Sequence, residues 1–536
     1  MKSIGKIDEA YDNLYAAAWN YAWHSAAYYQ LAEIDCIRGD FENALDHVNR
    51  SLTTDTENLK ALNLRAIVLR KLHKTGEAKT QLDEILKKDV LNHQARNEES
   101  YLLIENGNNE QAKNNTGELS QIMRDEVQSY LELATDYGDA GFAKEAVDVL
   151  SRLEKKGNDF PMLYYYLGYY YSKLGEQDKA LAYFKTASGK PHTYCFPFRS
   201  ESVDVLNLAM KMNPKDARAP YYLGNLYYEE QPDKAIELWQ NSRDLDDTFY
   251  IVHRNLALAY DKIQNDVPKA IKSMEKAVAC NNKDPRLLYE MDELYEKSKA
   301  SPEKKYELLK NNSETAKRRT ETMLRLATRS VEVGKYDEAL DILLNNEFPQ
   351  FEGGREMQDT YLSAYTLRGL KYLHDGKYET ALKDFQTAAD YPMGRFGRSR
   401  WAQFYYLIGL ANDKLGNSEK AKEAYQKCID TNVGEWGFDQ EYDFYRGLAL
   451  SKTGKNDEAK ALFEKMLANA QSRDNNVFFR QFEGGLSRDG QLAANHYLTG
   501  LAYEGLGEKE KAKTEFTKAL ELDPGHVWSK EHLREL

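Results

Sequence analysis

The stretch YYYLGYYYSKLGEQDKALAYF, residues 164–184, decides the fold. Tyr164, Leu167, Gly168 and Tyr171 stand at i, i+3, i+4 and i+7, the spacing of one helix face. Leu174-Gly175-Glu176 is a short polar turn, with glycine where a helix must end and reverse. Ala180-x3-Phe184 then opens a second helix. Gly168 and Ala180 are small, so the two helices can cross at close range. Working outward, Ala10, Ala44, Ala78, Ala112, Ala146 and Ala180 each lie 34 residues from the next. A phase held over so many steps is an internal repeat, one helix pair per period. Other copies of the first helix read Tyr28, Leu31, Ala32 and Tyr405, Ile408, Gly409, and their turns read Arg38-Gly39-Asp40, Leu415-Gly416-Asn417 and Leu506-Gly507-Glu508.

After Ala180 the spacing loosens. Cys195 to Phe198 reads as a proline-containing loop, and 199–212 as a single helix ending at Asn213-Pro214. The repeat alanines resume at Ala235 and Ala270, then Ala339, Ala381, Ala421, Ala459 and Ala512. The copy around Tyr295 is degenerate, with Lys304 read at the alanine position. The last copy has Gly500-x2-Tyr503, Ala512-x3-Phe516, Ala519 and Pro524. Surplus residues form four insertions between repeats, at 347–358, 391–400, 431–439 and 474–490, rich in glycine, aromatic and charged residues. Such insertions map to loops on one face of a solenoid, often the binding face.

This pattern resembles the tetratricopeptide repeat. It implies an all-α, right-handed α-solenoid (superhelix) of about thirteen repeats with inter-repeat insertion loops. Three segments are expected: a regular array over 1–198, a middle segment with an extra single helix over 199–319, and an array with aromatic and glycine-rich insertions over 320–536. Ala10 stands at a second-helix position, so the expectation is a leading half repeat and a chain that is the C-terminal part of a longer protein. The runs Ala18-Trp19-Asn20-Tyr21-Ala22-Trp23, Tyr194-Cys195-Phe196-Pro197, Arg218-Ala219-Pro220-Tyr221-Tyr222-Leu223-Gly224-Asn225 and Phe351-Glu352-Gly353-Gly354 carry a closer resemblance. They are similar to the C-terminal half of large bacterial tetratricopeptide proteins whose N-terminal half is a β-rich, mutarotase-like domain of unknown function. For the parent protein that resemblance implies a link to carbohydrate metabolism. The compartment stays open, with the bacterial cytoplasm favoured over the periplasm unless a signal peptide precedes this sequence.

Composition narrows the function classes. The 536 residues are 42% hydrophobic and 30% charged, with 12 prolines, which suits a folded chain with a real core. Net charge of -13 argues against nucleic acid as the main partner, since phosphate neutralisation needs basic patches. No apolar run is long enough to span a bilayer. The four cysteines stand far apart without a CxxC, and those in the helical repeats are expected as buried thiols rather than a disulfide framework. The ten histidines are scattered, without HExxH or a His/Cys cluster at ligand spacing, so no metal site or cofactor is expected. P-loop and Gly-x-Ser-x-Gly patterns do not occur.

The expected function is a non-enzymatic scaffold that binds a protein or peptide. The resemblance places one residue after the first-helix aromatic on the concave groove: Tyr29, Tyr165, Tyr221, Tyr406, Phe444 and Tyr497. The plain reading of that stripe is ordinary core aromatics; the sharper one is a stacking surface. Asn225 and Asn255 fall where the two asparagines of a carboxylate-clamp repeat domain would fall, with Arg254 and Arg286 nearby and Tyr221 in place of the usual lysine. Tyr221, Asn225, Arg254, Asn255 and Arg286 are therefore the partner-binding candidates, each asparagine able to donate and accept. Gln350-Phe351-Glu352-Gly353-Gly354 recurs as Gln481-Phe482-Glu483-Gly484-Gly485. Structurally, such loops seal gaps between repeats. Functionally, Phe351, Glu352, Phe482 and Glu483 could line a glycan site, the alternative role being that of an accessory carbohydrate-handling module. A glycosidase built on Glu352, Glu435 and Glu483 is the remaining reading, and the fixed 34-residue phase speaks against the α/α toroid it needs.

Overall fold

In the computed structural model, residues 6–348, 356–392, 398–432, 440–473 and 488–536 are described. They are all helical, and thirteen helix-turn-helix pairs succeed one another along them. The expected α-solenoid of repeated helix pairs is what the chain forms. Packing divides it into two compact units, Met1–Thr248 and Phe249–Leu536.

The quoted stretch shows why the pairs close. Its helices are Pro161–Lys173 and Gln177–Ser188, joined through Gly175 at φ 81°. A Cβ on Gly168 would lie 2.7 Å from Phe184 Cε1 and 3.1 Å from the carbonyl oxygen of Ala180. The glycine therefore admits both the aromatic ring and the backbone turn that carries the repeat alanine. The same contact recurs between Gly224 and Trp239, Gly369 and Phe385, Gly409 and Tyr425, Gly447 and Phe463, and Gly500 and Phe516. The repeat alanines from Ala10 to Ala512 named above are all buried. Gly168→Val should overpack this crossing, and we expect a loss of about 1–3 kcal/mol in urea denaturation. A neutral result would show that the close approach is not needed.

The first unit carries a leading helix, Ile7–Ala18, five successive pairs from His24–Arg38 to Gln177–Ser188, the unpaired helix Ser202–Met212, and the pair Arg218–Tyr227 with Pro232–Leu245. Tyr15 Oη lies 2.5 Å from His47 Nε2, and His47 Nδ1 lies 2.6 Å from Asp35 Oδ2. This chain ties the leading helix to the first pair. The second unit runs from Tyr250–Lys262 through seven pairs to Lys509–Leu522 and ends in the helix Val527–Glu535. The boundaries at 198 and 319 express the regularity of the sequence; the division at Thr248 and Phe249 expresses packing.

Two expectations are corrected. The alanine position of the degenerate repeat is held by Lys305, not Lys304: its N–H bonds to Ser301 as that of Ala44 does to Asp40. Lys305 is buried, and its ammonium lies 3.1 Å from the Glu332 carboxylate. A paired cation thus takes the place of a methyl group. Cys280, the last residue of its helix, is exposed, whereas Cys36, Cys428 and the loop residue Cys195 are buried. Burial pushes the Cys195 and Cys428 thiols up to about 12, which leaves them protonated and inert.

Candidate partner-binding faces

The polar residues of the first helices are mostly spent on tying repeats together. In the first unit Arg70 donates to Glu98 at 2.7 Å and to Glu105 at 2.7 Å. Tyr137 donates to Glu98 at 2.7 Å, Asn97 to Tyr137 at 2.8 Å, and Arg152 to Asn97 at 2.8 Å. In the second unit Arg329, 2% exposed, donates to Asp292 at 2.8 and 3.0 Å, to Glu296 at 2.9 Å, and to Glu332. Burial opposes ionisation of Glu296, yet Arg329, Arg325 and Lys305 together hold its carboxyl below the usual range. Glu98, Asp292 and Glu296 are ion-pair partners of these arginines, a role that fixes register between repeats.

The second unit folds back on itself. Lys299 pairs with Asp489 at 2.8 Å, and a Cβ on Gly525 would lie 2.9 Å from Glu332 Oε1. The C-terminal helix Val527–Glu535 packs chiefly on the last second helix, Lys509–Leu522, and its side chains also reach residues of first helices. The His532 ring stacks on Phe516 at 5.3 Å, meets Phe444 edge-on at 5.4 Å and lies 5.9 Å from Tyr497. Its Nδ1 is 2.8 Å from Glu504 Oε2. Burial disfavours the imidazolium, but Glu504, Glu535 and Glu531 outweigh it and raise the pKa of His532. His526 behaves oppositely: burial lowers its pKa, and its Nδ1 accepts the Ser529 N–H at 3.1 Å. Trp528 lies 5.6 Å from the Arg400 guanidinium, and Val527, Trp528, Leu533 and Leu536 pack on the apolar core of the unit. Tyr406, Phe444 and Tyr497 of the expected stripe are buried in this core.

Family models for the tetratricopeptide repeat match residues 131–191, 402–432 and 493–526. The chain contains tetratricopeptide repeats. Among solved structures, yeast Tom70 is 11% identical over 92% of this chain and 97% of its own, with a TM-score of 0.26. The P58(IPK) tetratricopeptide domain is 18% identical over 74% of this chain and 99% of its own, with a TM-score of 0.20. YrrB, described as a tetratricopeptide protein with an unusual peptide-binding site, is 17% identical over 45% of this chain and 96% of its own, with a TM-score of 0.17.

Within these tetratricopeptide units the candidates fall as follows. In the first unit Tyr221 is 4% exposed and Tyr165 donates to Asp216 at 2.9 Å, both in the core, while Tyr29 is half-buried. Asn225 accepts from Trp239 Nε1 at 3.1 Å, and the Tyr221 carbonyl shares that donor at 3.3 Å. In the second unit Arg254 donates to Glu290 on the next first helix at 2.7 Å, Asn255 is half-buried, and Arg286 is exposed, 3.8 Å from Asp284. Phe351, Glu352, Phe482, Glu483 and Glu435 lie outside the described residues, so the glycan and glycosidase readings rest on sequence alone. The sequence reading did not single out the C-terminal helix as a neighbour of first-helix residues. Trp19, Tyr21, Trp23, Tyr194 and Phe196 stand in the sequence only as marks of resemblance, and Phe198 only as the end of a loop. All six are exposed, Trp19 at 91%, which is rare for a side chain of that size. Among the described residues no helix is long and apolar enough to cross a membrane.

Proposed function

We propose that the chain is a non-enzymatic protein-interaction scaffold whose first-helix faces take a peptide segment of a partner. The supporting observation is the seating of the helix Val527–Glu535: its His532 stacks on Phe516 of the last second helix and also meets Phe444 and Tyr497 of first helices, with the first-helix carboxylate Glu504 at its edge. That is helix-in-groove recognition, with anchors spaced along one side of the bound segment. Arg254, Asn255 and Arg286 form the polar candidate surface in the second unit. Tyr221 and Asn225 are the candidates in the first, where Asn225 holds Trp239 and so shapes the surface as well as offering an amide. A partner segment with aromatic or aliphatic anchors and an acidic group to meet the exposed Arg286 fits this chemistry.

The test uses peptides selected from a random display library on the full chain, with affinities read by fluorescence polarisation. Arg286→Glu and Asn255→Ala should each weaken the selected peptides by about tenfold, equivalent to about 1.4 kcal/mol. Affinities unchanged in both variants would remove this surface from the account.

A further inference from the structure

We propose that the second unit binds a first-row divalent cation between His374, Glu531 and Glu535, and that the ion fastens the C-terminal helix to the helix Glu356–His374. His374 lies far in the chain from Glu531 and Glu535, so no spacing motif joins the three. His374 is the last residue of its helix, and Glu531 and Glu535 stand at i and i+4 on theirs, so both carboxylates share a face. His374 Nε2 lies 3.6 Å from Glu531 Oε1 and 3.2 Å from Glu535 Oε1. One ligand atom from each residue falls within a cluster no wider than 4.8 Å.

The two histidine–carboxylate separations, 3.6 and 3.2 Å, are close to those between ligands of one metal ion. Zinc holds nitrogen and oxygen ligands at about 2.0–2.2 Å in a tetrahedron, whose ligand atoms are then about 3.3–3.6 Å apart. Two carboxylates and one imidazole favour a borderline transition metal over magnesium or calcium, which prefer oxygen alone. His374 and Glu535 form the open side, 44% and 37% exposed, where water would complete the coordination, while Glu531 anchors the buried side. Arg534 donates to Glu531 Oε1 at 2.6 Å from an exposed side chain, and it must give up that bond or share the carboxylate when the ion enters. The alternative occupant of the same geometry is a plain imidazolium–carboxylate ion pair. Metal binding and ion pairing differ in what zinc does to the protein.

The experiment titrates the chelator-stripped full chain with zinc alone by calorimetry, with magnesium in parallel. Hydrogen exchange and thermal melting are followed with and without zinc. We expect zinc to bind at a site that magnesium does not fill, to raise the melting temperature and to slow amide exchange over Val527–Glu535. His374→Ala and Glu535→Gln should each weaken that site by about tenfold or more, since losing even an outer-shell partner of a metal ligand costs that much. Both changes are at the surface, so zinc-free melting should stay at the wild-type value. Zinc affinity equal in wild type and both variants would overturn the proposal. So would zinc that binds without slowing exchange in the C-terminal helix, or magnesium that binds as tightly as zinc.

Discussion

Asp292→Ala is expected to cost the second unit about 3–5 kcal/mol, among the largest effects of any single change in the chain. Asp292 is fully buried and accepts three hydrogen bonds from Arg329, itself buried, at 2.8, 3.0 and 3.2 Å. Removing the carboxylate leaves a guanidinium out of water with Glu296 and Glu332 as its remaining partners. Glu296 is half exposed and Glu332 is shared with Lys305, so neither can replace the lost pair. Replacing both members together, Asp292→Leu with Arg329→Met, should recover most of the loss, because a buried ion pair is rarely more stabilising than apolar residues of like volume. Urea denaturation of the three variants checks both statements. A single change costing less than about 1 kcal/mol would mean that water reaches Arg329 and that the network does not hold the repeats in register.

Phe516→Ala carries an effect of similar size, about 3–5 kcal/mol, by a different route. Phe516 is fully buried, fills the space left by Gly500 and forms the platform on which His532 stacks at 5.3 Å. The change opens a cavity beneath the C-terminal helix. Amide exchange over Val527–Glu535 should therefore accelerate most, with little change in the first unit, since repeats in a solenoid communicate chiefly with their neighbours. Uniform acceleration across both units would contradict that locality.

Much of this architecture is visible in the sequence because the repeat is enforced by sterics. A methyl group is what fits beneath the facing helix at Ala180 or Ala512, and no side chain at all fits at Gly168 or Gly500 against their aromatic partners. The pattern therefore survives wherever those contacts do. It slips where another interaction substitutes for them: Lys305 occupies an alanine position because Glu332 neutralises it, and a reading by residue type shifts to Lys304. The candidate site was less legible. Asn225 and Arg254 match a clamp-like pattern, yet in the fold they hold Trp239 and Glu290, partners chosen by tertiary packing rather than by sequence spacing. Phe444 and Tyr497 also meet His532 of the distant helix Val527–Glu535, which periodicity cannot assign to a face. His374, Glu531 and Glu535 escape notice for the same reason.

The central claim is that the first-helix faces, not the second-helix faces, are where a partner segment binds. Site-specific photo-crosslinking tests it most directly, with a benzophenone side chain placed in turn at Arg286 on a first helix and at Lys304 on a second helix, both exposed. A library-selected peptide should be captured from position 286 and not from position 304. Capture from position 304 alone would place recognition on the opposite face and contradict the account.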